Sequence, residues 1–149
     1  MRTLFLDTEF TNLAADYRLI SLALVDPDGA ELYVELSDGW SEVDCSAFVR
    51  QIVLPQLDQA RHGRSRVEAA AELRAFLAGY GEVEIVSDAL AWDWPLLLGL
   101  LGADGLPEHV RCREDAELLS DLDEATIPHH ALLDARLMAG AQQRRRQKR

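Results

Sequence analysis

The chain is short of cysteine, of long apolar runs and of positive charge, and each shortage closes off a class of protein. Two cysteines, Cys45 and Cys112, make neither a disulfide framework nor a zinc site. No apolar run approaches the roughly 20 residues of a membrane span. Asp7 and Glu9 interrupt the N-terminal apolar stretch where a signal peptide would need continuity. A cytoplasmic protein with no membrane partner is the expectation. The net charge of −11 argues against broad electrostatic capture of nucleic acid. What positive charge there is gathers at one end. Arg144, Arg145, Arg146, Lys148 and Arg149 carry five charges, leaving −16 on the residues before them. That tail reads as a solvated, frayed end able to touch phosphate. Repeats, linkers and low-complexity segments are otherwise missing. A chain of 149 residues with 48% apolar residues can bury a real core, so residues 1–143 read as one domain and 144–149 as a disordered basic tail.

What is present organises around the first eleven residues. Leu4, Phe5 and Leu6 form the short apolar run of a buried strand, which ends abruptly in acid at Asp7 and Glu9. Residues two apart on a strand point to the same face. Two carboxylates so placed repel unless a proton or cation lies between them. Hard divalent ions such as Mg²⁺ or Mn²⁺ seek oxygen clusters of this kind. The spacing alone is weak, because Asp115/Glu117 and Asp121/Asp123 repeat it in an acidic chain. The position directly after an apolar strand is what singles out Asp7 and Glu9.

Leu19 to Val25 reads as a second buried strand, and Asp26-Pro27-Asp28-Gly29 as the turn into a third over residues 30–36. Asp44 is placed to cap a helix through Phe48, Val49, Ile52 and Val53 that ends near Pro55. Ser65-x-x-Glu68 is a capping box opening another, with Val67, Ala70, Leu73, Phe76 and Leu77 as its stripe. Val83 to Val86 is a β-like run, followed by a helix from Trp94-Pro95 to Gly102. Val110 to Cys112 reads as a small fifth strand, the acidic segment 114–124 as containing a helix, and Pro128 as the start of the last helix. The order predicts an α/β protein: a mixed sheet of about five strands with an antiparallel meander start and flanking helices.

Two further acidic sites follow. Asp88 lies at the end of the Val83–Val86 run, and Asp93 lies at the entrance of the next helix, where an aspartate can equally serve as an N-cap. Chemistry alone does not choose between them. Near the end, His129 and Asp134 are five residues apart, about 140° around an ideal helix. They converge only if His129 lies in the loop or first turn, as Ile127-Pro128 suggests.

Taken in order, Asp7-x-Glu9, Trp92-Asp93 and His129-x-Ala131-x-x-Asp134-Ala135 resemble the three motifs of the DEDD exonuclease superfamily in its histidine-bearing (DEDDh) branch. The resemblance covers nearly the whole chain and implies a ribonuclease H-like fold. The family's second motif usually reads Asn-x-x-Phe-Asp, and Ala89-Leu90-Ala91-Trp92-Asp93 departs from it at the Asn and the Phe. The match selects Asp93 over Asp88 and His129 over His130. Small bacterial 3′→5′ exoribonucleases are the nearest kin it suggests, with ribonuclease T and oligoribonuclease more distant.

That resemblance implies a two-metal hydrolase. Asp7, Glu9, Asp93 and Asp134 would hold two Mg²⁺ or Mn²⁺ ions, and a neutral His129 would act as general base. Thr8, Phe10, Thr11 and Leu13 would lie against the terminal nucleotide. The implied substrate is single-stranded or 3′-overhanging nucleic acid, RNA favoured over DNA, consumed to nucleoside 5′-monophosphates. Many relatives are homodimers. Two other readings fit the fold: a proofreading-type exonuclease acting on DNA, and a non-catalytic nucleic-acid-binding domain.

Overall fold

Three strands in succession build one half of a sheet: β1 (Arg2–Phe10), β2 (Leu19–Val25) and β3 (Glu31–Leu36). The computed structural model describes residues 1–149. β1, β2 and β3 run antiparallel, with Asp7 opposite Ala23 and Ala23 opposite Tyr33. The other half is parallel: β5 (Val83–Ser87) pairs with β1 through Leu4–Ile85 and Phe5–Val86, and β6 (Val110–Glu114) pairs with β5. A two-residue strand, β4 (Gly63–Arg64), adds to the free edge of β3, giving the order β4-β3-β2-β1-β5-β6. The sheet thus has six strands where the sequence predicts about five. The extra one is too short to carry an alternating pattern. This is the ribonuclease H-like arrangement, with a mixed sheet and an antiparallel start.

Alternation along β1 explains the layers. Leu4 and Leu6 face a core shared with α2 (Arg66–Ala78) and α3 (Leu90–Leu101), while Phe5 faces the opposite core under α4 (Ala131–Gln147). β2 lies inside the sheet with helices on both faces, so every residue from Leu19 to Val25 is buried and the strand shows no polar face. The Ser65–Glu68 capping box forms as the sequence predicts, and α2 buries Ala69, Leu73 and Leu77.

Four helix assignments differ from expectation, each for a local reason. In place of one helix after Asp44, a 3₁₀ turn (Glu42–Asp44, capped by Ser41) is followed by a π-helical turn (Val49–Val53) and a second 3₁₀ turn (Leu54–Gln56). Pro55 withholds an amide there, so the ladder widens and then tightens instead of running as an α-helix. α1 (Gln59–His62) is a single turn behind it. α3 starts at Leu90, not Trp94, with Pro95 in its second turn, where the missing amide bond falls to exposed Ala91. Asp93 is therefore inside the helix and not its cap. The acidic segment 114–124 forms turns, because Asp115 and Asp123 accept from the amides of Glu117 and Ala125, local bonds that compete with a helix. α4 starts at Ala131 with His130 as its N-cap, since His129 takes a left-handed φ of 55° that no helix contains. It runs as helix through Gln147, so its last turn is made of the basic residues read as a frayed tail.

Candidate active site

The end of β1 is where the two layers deliver their acids. Phe5, Asp7 and Glu9 share the face turned to α4, and Asp134 projects from the first turn of that helix. Ligand oxygens of Asp7, Glu9 and Asp134 all lie within 4.8 Å of one another. Pairing between β1 and β5 stops at Phe5 and Val86, so Asp7 overhangs the point where β5 ends. Asp88 follows that strand directly and Asp93 comes from the start of α3. Oxygens of Asp7, Asp88 and Asp93 form a second group within the same 4.8 Å limit. Asp7 belongs to both. The sequence left Asp88 and Asp93 as rivals; the fold brings both to Asp7.

Both groups open into one cavity of about 560 Å³, whose rim includes His129, Phe10, Leu13 and Phe48. No lysine or arginine lines it. Burial is therefore the main force on these acids, reinforced by their mutual repulsion. It holds Asp7 well above the usual carboxylate range, with Asp93, Glu9, Asp134 and Asp88 adding to the push. Burial, then Asp134 and Asp93, raises Glu9 to about 8. Asp93 rises to about 7 through burial although hydroxyls of Ser87 and Thr8 pull it down, and Asp134 rises to about 7 against backbone amides of the His129–His130 turn. Oδ2 of Asp7 and Oδ1 of Asp134 are sealed from solvent and accept no hydrogen bond. Buried polar atoms normally find a partner. An all-oxygen donor set with orphaned carboxylate oxygens and no lysine or arginine beside it fits hard divalent cations such as Mg²⁺ or Mn²⁺.

Asp93 is the most firmly held of the group. It is 2% exposed, with Thr8 Oγ1 donating to one oxygen at 2.6 Å and Ser87 Oγ to the other at 2.5 Å. Ser87 Oγ also accepts from the amide of Ala89. Thr8 thus lines the site, but its hydroxyl serves Asp93. We expect the double variant Thr8→Val/Ser87→Ala to weaken Mn²⁺ binding by about 10–100-fold, the scale seen when a ligand's supporting bonds are lost. Calorimetric titration checks this, and unchanged affinity in a folded variant would show that Asp93 needs no clamp.

The other residues expected near substrate divide. Leu13 is 76% exposed at the mouth of the cavity. Phe10 lines its wall, stacked on Trp92 at 5.5 Å and edge-on to Tyr17, whose hydroxyl donates to the Trp92 carbonyl. Thr11 does not line the cavity: it is fully buried, and its hydroxyl accepts from the Arg18 amide and the Asn12 side chain, fixing the loop after β1. His129 faces the cavity with its ring edge-on to Phe48 at 4.9 Å and Nε2 3.8 Å from a Glu124 oxygen. His130 turns away, packing on Tyr33 and capping α4. Sequence reasoning missed Gln56, whose Nε2 donates to the carbonyl of Pro128 at 2.7 Å and so ties the His129 turn to the 3₁₀ segment. A partner 72 positions away leaves no local trace in the sequence.

No protein-family model and no curated protein matches the sequence. Among solved structures, the chain is similar over 98% of its length to the crystal structure of cell-death related nuclease 4 (CRN-4), with a TM-score of 0.62 and 16% identity. It spans 64% of that protein's chain. At that identity the likeness establishes the fold. The acidic groups above are this chain's own. No helix is long and apolar enough to cross a membrane.

Proposed function

We propose that this chain is a metal-dependent 3′→5′ exoribonuclease that hydrolyses phosphodiester bonds at nucleic-acid 3′ ends and releases nucleoside 5′-monophosphates. The observation that carries the reading is the pair of carboxylate groups sharing Asp7 at the floor of a cavity with a histidine on its rim. The fold match to a protein described as a nuclease supports it. Asp7, Glu9, Asp134 and Asp93 are the residues that would hold two Mg²⁺ or Mn²⁺ ions. Such ions supply Lewis-acid stabilisation of the phosphoryl and leaving oxygens and make water more acidic.

The remaining tasks fall to the chain. His129 accepts the proton of the attacking water, and its ring packs edge-on against Phe48. Phe10, Leu13 and Phe48 give the cavity an apolar wall against which a terminal base can lie flat. Thr8 and Ser87 keep Asp93 from turning away. With a net charge of −11, the surface suits engagement of a few terminal nucleotides better than a long duplex track. The preference for RNA rests on the resemblance of the motifs.

Incubation with end-labelled single-stranded RNA and DNA, with Mn²⁺, Mg²⁺ or EDTA, tests the proposal. Metal-dependent shortening from the 3′ end, faster on RNA, is the expected result. Faster shortening of DNA would favour the proofreading-type enzyme. No shortening by folded protein under any metal would leave a binding domain. His129→Ala should lower turnover by about 10²–10⁴-fold, the usual contribution of a general base. Its Mn²⁺ affinity should stay unchanged. Full activity in that variant would remove His129 from the mechanism.

A further inference from the structure

The four carboxylates implied by the resemblance leave Asp88 without a role, yet its position is as constrained as theirs. It follows Ser87, the last residue of β5, and the β1–β5 register delivers it beside Asp7. Its carboxylate lies within 4.8 Å of ligand oxygens of both Asp7 and Asp93. We propose that Asp88 is a fifth metal-binding carboxylate, and that Asp7, Asp88 and Asp93 together hold one of the two ions. The inference rests on the metal-dependent reading above and adds a ligand to it.

Three observations support the assignment. Several acids placed for structure in this chain pair with a cation: Asp115 with Arg145, Glu84 with Arg113 and Glu31 with Arg136. Asp88 lies beside no cation. It points instead at two other acids, an arrangement that costs free energy until a cation enters. Second, Oδ2 of Asp7, the residue common to both groups, is sealed from solvent with no donor in reach. A buried oxygen left so is destabilising unless something outside the chain completes it. Third, each oxygen of Asp93 already accepts a hydroxyl, from Thr8 on one and Ser87 on the other. That leaves each oxygen less capacity for an ion, and Asp88 brings oxygens that no neighbour has claimed.

A third carboxylate has a consequence that two would not. Affinity for hard cations rises with the number of charged ligands. Three carboxylates in one group let the ion bind before any substrate phosphate arrives. The chain should therefore hold two ions in the absence of nucleic acid.

The test is Mn²⁺ titration of the full chain without nucleic acid, read by calorimetry and by the electron paramagnetic resonance signal of coupled Mn²⁺ ions. Wild type should bind two ions. D88N should bind one at wild-type affinity and the other more than about 10-fold more weakly, and the coupling signal should vanish. E9Q, which alters the other group, should weaken the other ion instead. D88N that binds two ions as wild type does would overturn the role of Asp88 and leave the metal-dependent reading standing. Wild type that binds a single ion, unchanged in D88N, would overturn it equally. Wild type that binds no ion would sink the metal-dependent reading itself. Melting curves in EDTA establish that D88N is folded, and D88S repeats the titration if it is not.

Discussion

Asp7→Asn should abolish both ion binding and hydrolysis, and it should also raise the melting temperature of the ion-free protein. The first expectation follows from geometry. Asp7 is the one residue in both carboxylate groups, so on the proposed two-metal reading its loss would remove a ligand from each ion. On the proposed mechanism the fall in turnover is at least about 1,000-fold, the scale of the several kcal/mol that metal ions supply. The second expectation follows from electrostatics. Burial and four neighbouring acids oppose ionisation of Asp7, and its Oδ2 has no partner. A neutral amide of the same shape removes that repulsion and can donate to a neighbouring carboxylate. A gain on the order of 3 °C corresponds to about 1 kcal/mol in a domain of this size. Nuclease assays and melting curves in EDTA at neutral pH check the two halves separately. Intact hydrolysis would refute the metal site, and a lower melting temperature would refute the repulsion.

Without divalent ions the protein should lose stability as pH rises from about 5 to about 8, and ions should restore it most at the upper end. Unfolded carboxyls titrate near 4. In the fold Glu9 is pushed up to about 8, and Asp93 and Asp134 to about 7. Between those values the native state holds more protons than the unfolded state, so unfolding becomes easier with each step in pH. Below about 4 both states are protonated and the penalty disappears. Above about 8 it is complete. At about 1.4 kcal/mol per pKa unit, even part of these shifts amounts to a fall on the order of 10 °C. On the metal-dependent reading Mg²⁺ or Mn²⁺ would replace the protons, so either ion should raise the melting temperature strongly near pH 8 and weakly near pH 5. Melting curves at both pH values with EDTA or ions decide it. A flat or rising curve in EDTA would show that these acids are not the buried, mutually repelling group described here.

The acids of this site were legible to different depths. Asp7 and Glu9 follow an apolar run at a spacing of two, and strand alternation puts them on one face in any fold. Asp93 was not legible as a helical residue, since Pro95 argued for a later start of α3. It sits inside that helix because the bond Pro95 cannot make falls to exposed Ala91. The choice between His129 and His130 was equally closed to local reasoning. It depends on a left-handed turn that Gln56 holds from across the molecule.

By itself the sequence determined the strands of β1, β2 and β5, the capping box of α2, the net acidity and the order of the acidic motifs. Those are local properties: side-chain period, turn chemistry and charge act within a few residues of chain. Only the tertiary structure decided that Asp88 joins Asp93 beside Asp7, that Thr8 and Ser87 hold Asp93, and that Thr11 is spent on its own loop. The reason is sheet register. Which residue arrives opposite Asp7 depends on where β5 stops against β1, and that is fixed by packing between layers that no window of the sequence contains.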